Sequence, residues 1–251
     1  MLSYERFGTG TPVVLVHGIT ESRHSWDPLI EGLSAHYDVV ALDLRGHGNS
    51  THEAPYDLTT MAGDVGELVA HLGLESPLMV GHSLGGLVVS AYATQGACRG
   101  VVNVDQVLEI AAFKELLTPF EVALKASTEE FNETFTLMMS FMRGRLDDAS
   151  WQRLNELRRL DQGVVLGVWE IVFDLPAEVL NEIVDAMAGA LQVPYLALHG
   201  MDPGPLYAPW LSQRVASARL EVWDGDGHYP HLVQPERFIA RVRAFDESIS
   251  T

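Results

Sequence analysis

The 251-residue sequence is poor in cysteine and in basic residues, and both shortages exclude whole classes of protein. Cys98 is the single cysteine, so the chain can form neither an internal disulfide nor a paired-cysteine metal site. The 16 basic residues stand against 34 acidic ones, which gives a formal net charge of −18. Because so acidic a surface repels phosphate backbones and anionic lipid, we expect no nucleic-acid partner and no membrane partner.

Long hydrophobic runs are also missing. No apolar stretch approaches the ~20 residues that a membrane span requires. Residues 1–6 acquire charge at once and do not have the apolar centre of a signal peptide. We therefore expect a cytoplasmic protein. The length suits one large domain that buries most of its apolar surface.

Short apolar runs of the buried-strand type alternate with segments of helical periodicity. The helix predicted over 58–72, for example, carries apolar residues at the spacing of one helix face. This alternation predicts an α/β fold: a mostly parallel central sheet of about seven strands with helices on both faces. The predicted strands cover residues 11–17, 37–43, 77–80, 100–105, 193–200 and 219–223.

The alternation stops in the middle of the chain. Residues 107–191 contain helical patterns without clear strand signals, and the ambiguous run at 163–173 is assigned as helix. We interpret 107–191 as a helical cap inserted into a core formed by residues 1–106 and 192–251. The other helices predicted in the cap cover residues 128–143, 149–160 and 177–191.

The most informative motif is Gly-x-Ser-x-Gly, from Gly81 through Ser83 to Gly85. It follows an apolar strand directly and precedes a helix-like run. A serine at such a tight strand-to-helix turn is held in a strained conformation with its hydroxyl exposed above the sheet. Glycines flank it because a Cβ at either position would collide with the neighbouring strand and helix. The motif predicts that Ser83 is a nucleophile.

Three further motifs occur in order along the chain: His17-Gly18 after the first long strand, the turn at 43–50 (Asp-Leu-Arg-Gly-His-Gly-Asn-Ser), and Gly227-His228-Tyr-Pro-His-Leu near the end. Together with the serine motif they resemble the α/β-hydrolase family, and the likeness covers nearly the whole chain. The resemblance implies a serine hydrolase with a capped α/β-hydrolase fold and no cofactor or metal.

A nucleophilic serine needs a base, and the base needs an acid that orients it. By the resemblance, His228 is the base, since it falls last in the order serine, acid, histidine. The favoured acid is Asp202, after the next-to-last strand, although its loop is a residue shorter than the common arrangement. The alternative acid is Asp105, after the strand that follows the nucleophile helix.

The resemblance also implies an oxyanion hole made by the backbone N–H groups of Ile19 and Leu84. Backbone donors of this kind stabilise the charge that develops when the serine attacks a carbonyl. The predicted cap is rich in methionine and aromatic residues, which suit an apolar pocket of adaptable shape. The candidate pocket residues are Trp26, Met138, Met142 and Trp169.

These features predict a carboxylesterase or lactonase that acts through an acyl-enzyme on small to medium, apolar esters or lactones. Two alternatives keep the same three residues: a carbon–carbon bond hydrolase, and a cofactor-free perhydrolase. A third is a non-catalytic ligand receptor on the same fold. We expect a monomer or a small homo-oligomer.

Overall fold

The computed structural model describes residues 1–249, and a seven-stranded sheet forms its centre in the order β1-β3-β2-β4-β5-β6-β7. Strand β1 pairs antiparallel with β3, and every other pairing is parallel. The prediction of a mostly parallel sheet is confirmed. The strands are β1 (Tyr4–Phe7), β2 (Thr11–Val16), β3 (Tyr37–Leu42), β4 (Leu78–His82), β5 (Gly100–Val104), β6 (Tyr195–His199) and β7 (Ala218–Val222).

Burial explains why the inner strands have continuous apolar sequences. All residues of β3, β4, β5 and β6 are buried, because helices cover both faces of the sheet. The edge strands β1 and β7 remain partly exposed and carry polar residues. The carboxyl ends of parallel strands lie on the same side of the sheet, so the loops that follow β2, β4, β5 and β6 meet there.

Twelve α-helices are described within residues 1–249. Several begin at a side chain that caps the first turn: Asp57 accepts a hydrogen bond from the Thr60 N–H at 2.9 Å, and Asp147 does the same for Ser150. The helices are α1 (Asp27–Ser34), α2 (Leu58–His71), α3 (Leu84–Ala93), α4 (Ile110–Leu117), α5 (Glu121–Leu124), α6 (Thr128–Phe141), α7 (Asp148–Leu157), α8 (Gln162–Asp174), α9 (Ala177–Ala190), α10 (Tyr207–Arg214), α11 (Pro230–Val233) and α12 (Pro235–Ile249).

Six of these helices, α4 to α9, lie between strands β5 and β6, and we call this segment the helical insertion. The helices predicted from periodicity at 128–143, 149–160 and 177–191 correspond to α6, α7 and α9. The ambiguous run at 163–173 is helical as predicted and forms most of α8. Helix α10, by contrast, lies in a segment for which the sequence analysis made no prediction.

Candidate active site

Ser83 lies at the turn between β4 and α3 with φ 52° and ψ −123°, a conformation that L-residues rarely adopt. Its side chain is partly exposed. A Cβ added at Gly81 would lie 2.1 Å from the carbonyl oxygen of Gly85, and one at Gly85 would lie 2.2 Å from that of Val16. The prediction that both flanking positions require glycine is therefore confirmed.

The carboxylate of Asp105 lies against His228. Asp105 follows β5, the neighbour of β4 in the sheet, and the Ser83 N–H donates to the carbonyl of Val104 at 3.0 Å. His228 Nδ1 lies 2.6 Å from Asp105 Oδ2, and because a carboxylate can only accept, Nδ1 carries the hydrogen. This bond leaves Nε2 of the neutral imidazole unprotonated and able to accept a proton.

Asp105 is held as an ionised acceptor. Its Oδ1 accepts hydrogen bonds from the N–H groups of Gly200 at 2.7 Å and Met201 at 3.1 Å. Burial opposes ionisation and is the largest single influence, but the hydrogen bond and charge of His228, with His199 and the Met201 N–H, outweigh it. The net effect is to lower the pKa of Asp105 below its usual value. Asp105 also has a positive φ, 52°, which the sequence did not indicate.

Asp202, the acid favoured from the sequence, lies elsewhere in the structure. Its side chain is exposed, and its Oδ1 accepts a hydrogen bond from the Gly204 N–H at 2.8 Å. The structure thus brings Asp105, and not Asp202, to His228. The physical reason is that Oδ1 of Asp105 binds the first two N–H groups after β6, which ties the Asp202 loop down beside Asp105 while Oδ2 stays directed at His228.

The loop that carries His228 is anchored to the helical insertion. The His228 N–H donates to the carbonyl of Met142, the residue after α6, at 2.8 Å. Arg145 forms an ion pair at 2.5 Å with Asp226, whose side chain is fully buried. A Cβ on Gly144 would lie 2.4 Å from the Gly227 nitrogen, so the two backbones can approach this closely only at glycine.

The backbone N–H groups of Ile19 and Leu84 are not taken by another group within the described residues. A Cβ on Gly18 would lie 3.2 Å from the Ser83 Cβ, so the loop that contains Ile19 passes directly beside the serine. His17 orients this loop: its Nδ1 donates to the Gly18 carbonyl at 2.7 Å, and its Nε2 accepts from the Leu44 N–H at 3.0 Å. Burial lowers the pKa of His17, which keeps the ring in the neutral form that this pairing needs.

The four candidate pocket residues lie in different surroundings. Trp26 is fully buried and packs against His231, with ring centroids 4.9 Å apart, so the structure places it in the core and not at a wall open to solvent. Trp169 is also mostly buried, and it stacks on Phe135 inside the insertion. Met142 adjoins His228 through its carbonyl and is partly exposed, and Met138 lies one turn earlier on the same side of α6.

Two polar residues beneath this site, Glu21 and His82, were not predicted from the sequence, and they are 4% and 1% exposed. Two signals were visible in the sequence. Glu21 follows His17-Gly18 closely, and His82 interrupts an otherwise apolar strand. Neither signal predicts that the two side chains meet, because the residues are about 60 positions apart along the chain.

Residues 1–249 contain no group of three or more histidine, cysteine or acidic side chains arranged to hold a metal ion. They also include no helix long and apolar enough to cross a bilayer.

The chain is similar to a known protein family, to characterised relatives and to solved structures. The family model for the alpha/beta hydrolase fold matches residues 11–235. A non-heme haloperoxidase from Rhodococcus erythropolis is 30% identical over 98% of this chain and 95% of its own length. A pimeloyl-[acyl-carrier protein] methyl ester esterase from Vibrio campbellii is 26% identical over 97% of this chain and 98% of its own. The crystal structure of an esterase from Rhodococcus sp. ECU1013 superposes with a TM-score of 0.72 at 26% identity, over 100% of this chain and 94% of that one.

Proposed function

The chain belongs to the alpha/beta hydrolase fold family, and from this premise we propose that it is a serine carboxylesterase or lactonase that uses Ser83, His228 and Asp105. The observation that carries the proposal is the pairing of a strained, partly exposed serine at the end of β4 with a buried Asp105–His228 bond of 2.6 Å at the end of β5. The esterases among the similar proteins support the same reaction class.

In the proposed reaction, Ser83 Oγ attacks the ester carbonyl while Nε2 of His228 takes its proton. The N–H groups of Ile19 and Leu84 stabilise the oxyanion that forms. The imidazolium then gives its proton to the leaving alcohol, and an acyl-serine remains. Water repeats the sequence on the acyl-enzyme and releases the carboxylic acid. Asp105 holds the His228 ring in the tautomer that this requires and balances the charge of the imidazolium.

The helical insertion supports an apolar substrate of bounded size. We propose that residues 107–191 form a cap domain over a core of 1–106 and 192–251. Met142 contacts His228 through its backbone carbonyl, and Met138 lies one turn earlier on α6. Their flexible, apolar side chains suit small to medium uncharged acyl groups.

The test is initial-rate hydrolysis of p-nitrophenyl esters from acetyl to dodecanoyl, with Ser83→Ala measured alongside. The proposal predicts turnover that peaks at a short or medium chain and is lost in the variant. Equal turnover by Ser83→Ala would overturn it.

The relative named as a non-heme haloperoxidase favours one second candidate, perhydrolysis. Here hydrogen peroxide replaces water: a carboxylic acid and peroxide give a peracid and water at the same serine. Peroxide-dependent bromination of an indicator dye that requires both added acetate and Ser83 would favour this reaction. If bromination is absent while esters are hydrolysed, the esterase proposal stands alone.

A further inference from the structure

A buried carboxylate–imidazole pair lies directly beneath the serine turn. Glu21 and His82 are almost fully enclosed, and Oε2 of Glu21 lies 3.4 Å from Nδ1 of His82. The carboxylate comes from the loop after β2, and the imidazole comes from the last residue of β4, immediately before Ser83. A carboxylate in this position is costly to bury unless its neighbours compensate it.

Each partner is bonded to a different catalytic loop. Nε2 of His82 lies 2.8 Å from the carbonyl oxygen of His228. Oε2 of Glu21 accepts a hydrogen bond from the Gly18 N–H at 3.3 Å, in the loop that presents the Ile19 N–H. The pair therefore connects the loop of the proposed base to the loop of the proposed oxyanion hole.

The contacts of His82 determine which ring nitrogen donates a hydrogen bond. A carbonyl oxygen can only accept, so Nε2 of His82 carries a hydrogen. Nδ1 is buried beside the Glu21 carboxylate and forms no hydrogen bond within residues 1–249. The ring therefore donates through Nε2 to the His228 loop, while Nδ1 lies next to Glu21.

Ionisation of Glu21 is favoured by its neighbours. Burial acts against it and is the largest influence, but the charge and hydrogen bond of His82, with Arg158 and His17, outweigh it and lower the pKa of Glu21. The rings of His228, Tyr229 and His231 also face the imidazole of His82. Burial and then the charge of His82 lower the pKa of His231, and burial raises the pKa of Tyr229, whose hydroxyl accepts from Arg158.

We propose that Glu21 and His82 are a positioning pair: the Nε2–H of His82 holds the backbone of His228 in register with Ser83, and Glu21 holds the Gly18 loop beside the same imidazole. The proposal rests on the proposed roles of Ser83 and His228. Neither member of the pair touches the substrate, since both act through backbone groups of the two loops.

A direct test that needs no turnover is nitrogen NMR of the ring nitrogens in histidine-labelled Ser83→Ala protein. His82 is assigned as the signal that disappears in the additional His82→Gln variant. The proposal predicts that Nε2 of His82 carries a hydrogen, as its bond to the His228 carbonyl requires. A His82 ring with an unprotonated Nε2 would overturn it.

A kinetic test separates positioning from packing by one substitution at two neighbouring buried histidines. His82→Phe removes the donor to His228, and we expect kcat to fall by about tenfold to a hundredfold with little change in KM. His82→Gln, which keeps an N–H near the Nε2 position, is expected to recover most of that loss. His231→Phe is the control, because its ring lies 4.6 Å from that of His82 but has no hydrogen bond to the His228 loop. An equal loss in His231→Phe would contradict the proposal.

Glu21 has a matched pair of variants. Glu21→Gln keeps an acceptor for the Gly18 N–H, and we expect it to retain most of the wild-type kcat. Glu21→Leu removes that acceptor, and we expect kcat to fall by about tenfold with little change in KM. Equal kcat in the two variants would refute the role of Glu21, while ester turnover would still support the proposed function. Absence of turnover in the wild type would refute the function, and NMR alone would then decide the role of His82.

Discussion

Exchanging each candidate acid for asparagine separates their roles with the smallest change of shape. In wild type, the N–H groups of Gly200 and Met201 bind Oδ1 of Asp105 at 2.7 and 3.1 Å. In Asp105→Asn, the one remaining side-chain oxygen is needed to accept these two hydrogen bonds. The new NH₂ group must then face Nδ1 of His228, where the 2.6 Å bond lies. Two donors cannot share that contact, so His228 moves its hydrogen to Nε2 and can no longer take a proton from Ser83.

The expected loss follows from this tautomer change. A triad whose histidine is held in the wrong tautomer loses about 10⁴ in kcat, which corresponds to ~5 kcal/mol of transition-state stabilisation. Folding should survive, because asparagine tolerates the positive φ of 52° at this position better than other replacements. The thermal midpoint and circular dichroism of the variant check this.

Asp202→Asn is the matched control. Asp202 is exposed, and its contact with the Gly204 N–H can be made equally by an asparagine oxygen. We expect kcat/KM for p-nitrophenyl butyrate to stay within about twofold of wild type, as for other surface changes. If Asp202→Asn lost a hundredfold while Asp105→Asn kept its activity, the assignment of the acid would be refuted.

Three further predictions concern stability. Burial lowers the pKa of His47 from 6.5 to about 3, so the unfolded chain binds a proton below pH 6.5 that the folded chain refuses. Urea unfolding should therefore show stability falling as pH drops from 6.5 towards 3, by about 1.4 kcal/mol per pH unit from this group, and His47→Asn should reduce that slope. Gly85→Ala should prevent folding, because its Cβ would lie 2.2 Å from a carbonyl of β2, whereas Gly189→Ala, with open space around it, should raise stability by about 0.5–1 kcal/mol. Arg145→Met should lower the thermal midpoint and kcat together, because the fully buried side chain of Asp226 loses its ion-pair partner.

For each of these three predictions, one result would contradict the reasoning. An unchanged acid slope in His47→Asn would mean that His47 already takes a proton in the folded state. A soluble, cooperative Gly85→Ala would contradict the close approach of α3 to β2. An Arg145→Met protein with wild-type kcat would show that the anchor between the insertion and the His228 loop does not influence the reaction.

Sequence patterns predicted the elements of this fold better than they predicted the pairing of side chains. The run before Ser83 predicts a strand because apolar residues fill it, and the flanking glycines are required by backbone contacts that are local to the turn. The acid was different. Asp105 and Asp202 follow neighbouring strands, β5 and β6, and spacing along the chain does not reveal which carboxylate turns towards His228. That choice depends on the positive φ of Asp105 and on the two N–H groups that orient it.

The pocket and the buried Glu21–His82 pair show the same limit to prediction from sequence. Trp26 lies close to the oxyanion loop in sequence, yet its ring is fully buried in the core against His231. Glu21 and His82 meet only because β2 and β4 are adjacent in the sheet. Contacts across strands that are distant in sequence require the topology to be known first.

The central claim is that Ser83 is the nucleophile, and covalent labelling tests it most directly. The protein is incubated with a fluorophosphonate, which reacts with activated serines, and then analysed by intact mass and peptide mapping. We expect a single adduct on the peptide that contains Ser83, abolished in Ser83→Ala and strongly slowed in Asp105→Asn. An adduct on another residue, or no adduct in a wild-type protein that still hydrolyses esters, would contradict it.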